Sequence, residues 1–546
     1  MLGVIVAAGA RGQAPGSAAG PVVTLPAFTV TDSRLLPRFE SWRYASVPGF
    51  EVLSTAADGV TEKLLNDFLA FHRGIEAVWP LVRMNASVPA CLILCDREKK
   101  FAPFVPAADG AHARNFLSLS YQDREQASIV IELDPSVLQD QGAADPGDQF
   151  SHYTSQLVHR EYVHFILGRI GERVPPWLQQ GLEQLFIPMT YSGNIIGFPG
   201  QRRPEEAAAR KTGTAEARDL AIKAGAFFPL DALFRPEQTG GDDDSSPWTH
   251  ECLEFVHLCL FGAPDRYRGP FLRFAVRASR GPLNERLFRE CFGMGYADFL
   301  PILWKYTGWN DDRGFEVNGK KGGKPEPMPR AALRKATDGE VGRIRGETLR
   351  MAGRMEEAHL ALIAPYQRGS RDPQLLASLG LQEMAVGQTG RALKFLEAAT
   401  SAHTTRARAW AALGQLRLEG ALVHPGGNGG RLSVEQLQTI LAPLFAARKL
   451  SPALPEVYLS IAAAWAHSPA RPTPGHLRAV DEGAVFFPYD AELICRDAQL
   501  QAQFGYMDQA KALCQLGLEY AGNESDRSRI AELARSLSQP VVPAHP

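Results

Sequence analysis

Residues 157–186 read LVHREYVHFILGRIGERVPPWLQQGLEQLF. Two histidines four apart on a helix differ by only about 40° in azimuth, so both can reach one metal ion. A glutamate beside the first can take a proton from the metal-bound water. This segment keeps that frame with one change, Arg160-Glu161-Tyr162-Val163-His164. His164 could donate to a metal and Glu161 could act as general base, but an arginine holds the first donor position. Its guanidinium has no lone pair to give and stays protonated. A third donor, nitrogen, sulfur or carboxylate, must come from elsewhere in the fold.

Two substitutes could restore the donor set. His159 stands five residues before His164, about 140° away on a regular helix, and would need a π-bulge to converge with it. Glu183, on the helix that follows and one turn beyond Gln180, could supply a carboxylate as third donor. It leaves position 160 empty, and it otherwise reads as an exposed carboxylate or a partner of Arg160. With neither substitute, no cofactor is expected, and Arg160 would occupy the cationic slot paired with Glu161 or Glu183. His164 would then be a buried imidazole bonded to a nearby carbonyl. Zinc is expected only if the substitutes serve. His250 and His257 share a helix face with no carboxylates to complete a site, and no nucleophile elbow or phosphate loop appears.

Several elements must position these residues. Periodicity predicts a helix over 151–170, weakened by Gly168 and Gly171, and a second over 177–186 started by Pro175-Pro176. Strands are expected in WRYASVPGFEVLS, PACLILCD, NFLSLSYQ and ASIVIELD, with a polar turn at Asp123-Arg124-Glu125. A helix over DGVTEKLLNDFLAFHRGIEAVWP separates the first two. Past the basic, Gly/Pro-rich NGKKGGKPEPMP, composition shifts to Ala, Leu, Glu and Arg at helical spacing. There Gly353-x4-Ala358 recurs 34 residues on as Gly387-x4-Ala392, and again as Gly505-x4-Ala510. That period belongs to tetratricopeptide repeats, interrupted here by VHPGGNGGRLS.

Residues 40–310 resemble a gluzincin-type domain of the peptidase MA clan, the bacterial kind often followed by tetratricopeptide repeats. The family pattern is H-E-x-x-H, a spacer, then P-x-W-L-x-E-G-L-A-x-x-F. EYVHFIL and PPWLQQGLEQLF fit it outside the metal positions, and WTHECLEFVHLCLFG and FRECFGMGYADFLPILWKY resemble its closing helices. The resemblance implies a small sheet plus helices. It makes Glu161 a vestigial general base and His164 a vestigial zinc ligand, with Arg160 and Gln180 at lost ligand positions; at 180, where the family pattern has the Glu that is the third ligand, Gln offers zinc only a neutral carbonyl oxygen. It also implies that the last strand before the motif helix borders a cleft. Ile129, Val130, Ile131 and Glu132 hold that place, as a candidate edge strand that pairs with a peptide.

The fold class expected is an α+β gluzincin-like domain followed by an all-α tetratricopeptide-like array. The divisions are 1–35 signal-like or disordered, 36–312 metallopeptidase-like, 313–330 linker and 331–540 repeats. The function expected is a non-catalytic scaffold that binds peptide or protein through the cleft strand and the repeats; the alternative is a zinc peptidase with atypical ligands. The chain has 546 residues, 45% of them hydrophobic, with 58 basic against 60 acidic side chains. A net charge of −2 gives no reason to expect nucleic acid. No apolar run is long enough to span a bilayer. MLGVIVAAGARGQAPGSAAGP has a short apolar stretch and a Ser17-x-Ala19 site but no basic start, so it reads as an export signal or as a tail. The first places the protein in the periplasm or outside the cell, the second in the cytoplasm. The seven cysteines read as small core residues rather than disulfides.

Overall fold

Short apolar runs bounded by turns make the strands β1 (Arg43–Val47), β2 (Phe50–Ser54), β3 (Ala90–Cys95), β4 (Ser118–Gln122) and β5 (Ala127–Glu132). β6 (Thr190–Ser192), β7 (Ile195–Phe198) and β8 (Phe315–Asn318) form a separate antiparallel sheet, and β9 (Arg334–Lys335) follows. The computed structural model describes residues 40–47, 49–79, 90–106, 117–133, 146–168, 174–192, 195–198, 214–235, 246–279, 281–307, 315–318, 331–427, 431–468 and 470–538, with Leu25, Pro26 and Arg38. The Ser17-x-Ala19 stretch and the basic segment over 319–330 lie outside the described residues.

The main sheet has six strands in the order β4-β5-β3-β2-β1-β9. β2, β3 and β5 run parallel, while β1, β4 and β9 are antiparallel to their neighbours. β3 and β5 are buried at every residue, as strands covered on both faces must be. This corrects one expectation. Ile129, Val130, Ile131 and Glu132 belong to an interior strand, hydrogen-bonded to β3 on one side and β4 on the other. The tight turn after β4 folds that strand over the position the sequence suggested was open, and β4 itself is the edge.

Helices α1 (Asp58–Val78), α2 (Glu98–Phe101), α3 (Pro146–Gly168) and α4 (Pro176–Phe186) are followed by α5 (Ala215–Lys223), α6 (Leu230–Leu233) and α7 (Pro247–His257). A π turn at Leu258–Gly262 leads to α8 (Pro264–Ala278), α9 (Glu285–Phe292) and α10 (Tyr296–Thr307). One face of the sheet, through Phe50, Val52, Leu92, Leu94, Ile129 and Ile131, packs on α1 and α3. Phe50 and Phe68 meet edge-on with centroids 5.2 Å apart. Gly181 lets α4 cross α7 closely; a Cβ there would lie 2.6 Å from the Cys252 carbonyl oxygen. All seven cysteines are buried free thiols.

The C-terminal part is an array of helical pairs: α11 (Asp338–Met351) with α12 (Met355–Gln367), α13 (Pro373–Ala385) with α14 (Thr389–Ser401), and α15 (Ala407–Val423) with α16 (Val434–Arg448). Next come α17 (Pro455–Ala466) with α18 (Pro474–Phe486) and α19 (Ala491–Gln503) with α20 (Met507–Tyr520), closed by α21 (Glu524–Ser538). The first helix of each pair packs on the first helix of the next, which makes an inner row. Gly353, Gly387 and Gly505 sit in left-handed turns with φ of 76°, 76° and 88°. At Gly353 and Gly387 an added Cβ would meet nothing within 4 Å, so the turn conformation, not close helix approach, demands glycine there. Close approach falls at Gly346, Gly380 and Gly414, where a Cβ would come within 2.6, 2.7 and 2.5 Å of Leu362, Leu396 and Leu444. These three are also 34 residues apart, a second phase of the repeat that the Gly-x4-Ala pattern does not include.

The second face of the sheet is covered by the array itself. Leu53, Cys91, Ile93 and Val130 share a core with Val341, Ile344, Leu349 and Ala358. β9, which lies just before α11, pairs with β1, and Ala336 N–H donates to the Trp42 carbonyl at 2.9 Å. Sheet and first helical pair are therefore one packed body. At the far end of the array, Tyr520 rests on Gly281, where a Cβ would be 2.8 Å from its ring.

Candidate functional site

Helix α3 carries His159, Arg160, Glu161 and His164, and α4 carries Gln179, Gln180 and Glu183. Pro175 and Pro176 fix the start of α4 so that it runs beside α3, and β4 lies along the same helix. Their side chains meet at one cluster. The His164 imidazole lies between two carboxylates, with Nε2 2.9 Å from Glu183 Oε1 and Nδ1 3.6 Å from Glu161 Oε2. Glu183 also accepts from the Gln179 amide at 2.8 Å. Ser118 Oγ, on β4, donates to Glu161 Oε1 at 2.7 Å. Arg160 Nη2 donates to Ser118 Oγ at 2.9 Å and to Glu161 Oε1 at 3.2 Å.

The expected pairing of Arg160 with Glu161 is present at 3.2 Å, made from the rim with the Arg160 side chain 48% exposed, while His164 lies between Glu161 and Glu183. Three site expectations are corrected. His164 is paired with carboxylates rather than bonded to a carbonyl, because α4 brings Glu183 opposite it. Glu183 is neither a surface carboxylate nor Arg160's partner; its side chain is only 15% exposed. His159 does not join the cluster. α3 is regular α-helix through 159–164, which sends His159 to the far side. There its Nε2 bonds Asp67 at 3.0 Å, and its ring stacks on Phe71 with centroids 3.7 Å apart. Gln180 is half-buried. His257 Nδ1 and the Tyr306 hydroxyl are 2.6 Å apart, half-buried beside the core.

The electrostatics follow from these contacts. Burial works to raise the Glu161 carboxyl, but bonds from His164 and Ser118 and the charge of Arg160 hold it below the usual range. Bonds to Glu161 and Glu183 raise His164 to about 9 against the effect of burial. An imidazole protonated in this way carries a proton on both nitrogens and has no lone pair for a metal. The donor set does not fit zinc: arginine at 160, carboxamide at 180, and an imidazole engaged on both sides. Among the described residues, no group of three or more His, Cys, Asp or Glu side chains is placed to hold a metal ion.

One measurement checks this directly. The raised pKa means His164 contributes stability below its unfolded value of about 6.5, lost as pH rises through about 9. In an NMR titration the His164 ring is expected to change protonation near pH 9, and Glu183→Gln to move that midpoint down toward the free-imidazole value. A midpoint below 7 in the unaltered protein contradicts the charge-locked cluster.

No family model and no curated protein matches the chain. No described helix is long and apolar enough to cross a membrane. Among solved structures, the chain is similar to a thermophilic tetratricopeptide-repeat protein of Thermus thermophilus. The identity is 18% and the TM-score 0.26, over 35% of this chain and 96% of that one. It is also similar to yeast Tom70, at 10% identity and a TM-score of 0.21, over 74% of this chain and 77% of that one.

Proposed function

We propose that this protein is a binding scaffold built from a peptidase-like unit that no longer carries out metal-dependent hydrolysis, joined to tetratricopeptide-type helical pairs. The observation that supports this reading best is the seat of His164. A gluzincin-like cleft would need that imidazole free to donate an electron pair, with a second histidine at 160. Here both ring nitrogens face carboxylates, and Arg160 stands where the second donor would be. Glu161, the would-be base, accepts from Ser118 and Arg160, and with His164 as the largest contributor these groups hold its carboxyl below the usual range against burial.

The cleft still offers a surface. β4 pairs with β5 on one side, and among the described residues no strand pairs with its other side. An extended segment could add to that edge by main-chain hydrogen bonds, with alternate side chains directed toward Arg160 and the α3–α4 cluster. The helical pairs add a second, inner surface, as repeat arrays do for protein partners.

The test is elemental analysis of the purified protein together with cleavage of a broad peptide library. Substoichiometric zinc and no chelator-sensitive turnover are expected. One zinc per chain, with turnover that Glu161→Gln abolishes, would reverse the reading and establish an atypically liganded peptidase.

A further inference from the structure

The β4–β5 turn, Asp123 to Gln126, enters the inner row of the array. Arg350, from α11, donates to Asp123 Oδ2 at 2.7 Å, and Arg408, near the start of α15, lies 3.5 Å from the same oxygen. Arg406, the residue before α15, donates to Glu125 Oε2 at 2.9 Å, and the Arg408 backbone N–H donates to Glu125 Oε1 at 3.0 Å. Arg406 also bonds Glu347 of α11 and donates to Ser378 of α13 at 2.8 Å. Gln126 Nε2 donates to Glu347 Oε2 at 2.6 Å. Three successive helical pairs thus contribute to one grip, and Glu125 inside it is fully buried.

The charges are complementary. The array supplies three guanidinium groups and one carboxylate, Glu347, and the turn supplies the two missing negative charges, Asp123 and Glu125. Without the turn the three guanidinium groups would keep only Glu347 as counter-charge, and Arg406, 3% exposed, would lose one of its two carboxylates. The turn is also preorganised. Asp123 Oδ1 accepts from its own Glu125 and Gln126 backbone N–H groups at 2.8 and 2.9 Å, so the Asp-x-Glu pattern brings its own fold to the grip.

We propose that the inner face of the first three helical pairs is a receptor for a short acidic turn of the pattern Asp-x-Glu. This chain fills it with its own Asp123-Arg124-Glu125, and a partner segment of that pattern binds here by displacing the turn. The inner helices α17 and α19 lie beyond the grip and are not engaged by these contacts. The proposal stands whether or not the cluster around Glu161 supports hydrolysis.

The probe is a labelled synthetic peptide with the sequence of residues 118–132, measured against the full-length protein. The double variant Asp123→Asn, Glu125→Gln keeps the shape of the turn and removes its charge. It is expected to bind the peptide at least about tenfold more tightly than the unaltered protein does, with affinity falling as salt rises. A peptide carrying Asn-x-Gln instead is expected to bind neither protein. A folded double variant that binds no better than the unaltered protein, or equal binding of the neutral peptide, overturns the proposal and leaves the turn a structural strut. Should the variant not fold, hydrogen exchange on the unaltered protein decides. Peptide at about 1 mM is expected to speed amide exchange across 118–132, and unchanged exchange there overturns the proposal.

Discussion

Arg406→Ala is expected to lower the unfolding free energy by about 3–5 kcal/mol, the range for removing one partner of a buried ion cluster. The Arg406 side chain is 3% exposed, and its partners Glu125 and Glu347 are 0% and 4% exposed. Burial works against the arginine's charge, but the two carboxylates outweigh it and keep it protonated. Burial likewise works to raise Glu347, and Arg406 and Arg350 hold it well below the usual carboxylate range. Deleting the guanidinium leaves two ionised groups without their main counter-charge, so the loss is chiefly the desolvation of what remains. A second variant separates this from lost packing. Arg406→Met combined with Glu125→Gln and Glu347→Gln removes the charges together and is expected to be milder than Arg406→Ala alone. The lowered Glu347 also gives a sign in pH. Its contribution is present above the unfolded carboxylate value of about 4.3 and disappears as pH falls below it. Urea unfolding followed by far-ultraviolet circular dichroism reads all of this, and an Arg406→Ala protein within about 1 kcal/mol of the unaltered one, in the transition involving the sheet, contradicts it.

Asp497→Asn is expected to have the opposite sign and to stabilise the protein at alkaline pH. Asp497 lies on α19, fully buried, with neither oxygen hydrogen-bonded in the ordinary way. Burial first, and then the neighbouring Asp481 carboxylate, raises it to about 8. Asp481 accepts from the Gln501 amide at 2.8 Å, which favours keeping the negative charge there and the proton on Asp497. The folded pKa lies above the unfolded value of about 3.9, so folding takes up a proton. The stability this contributes is complete below pH 4 and is lost as pH rises toward 8. A tenfold change in proton affinity is worth about 1.4 kcal/mol, so the C-terminal pairs should lose about 2–5 kcal/mol between pH 5 and 8.5. Asn keeps the shape and cannot ionise. The variant's stability should therefore be nearly flat over that range and exceed the parent's at pH 8.5. Parallel pH profiles for the two proteins exclude the buried proton.

What was legible in the sequence was local. The break between β1 and β2 at Gly49, the apolar β3 run and the start of α4 at Pro175-Pro176 are set by residues within a few positions of one another. The repeat glycines are legible for the same reason, since each left-handed turn needs its own glycine. Strand order was not local. ASIVIELD is the more apolar run because it is interior, and the polar NFLSLSYQ is the edge, yet the resemblance, applied in chain order, made the strand nearest the motif helix the candidate edge. Asp123 to Glu125 read as a polar turn because its partners, Arg350, Arg406 and Arg408, lie more than 220 residues away. His164 was misjudged because its surroundings depend on Glu183, which a separate helix brings opposite it.

Helical-repeat arrays act as springs, lengthening when their ends are pulled apart. In this chain the first coil is fused to the sheet through Val341, Ile344 and Ala358, and the last touches Gly281 through Tyr520. A spring clamped at both ends cannot take up strain by fraying outward, so elastic give concentrates in the middle coils, from Ala407 to Phe486.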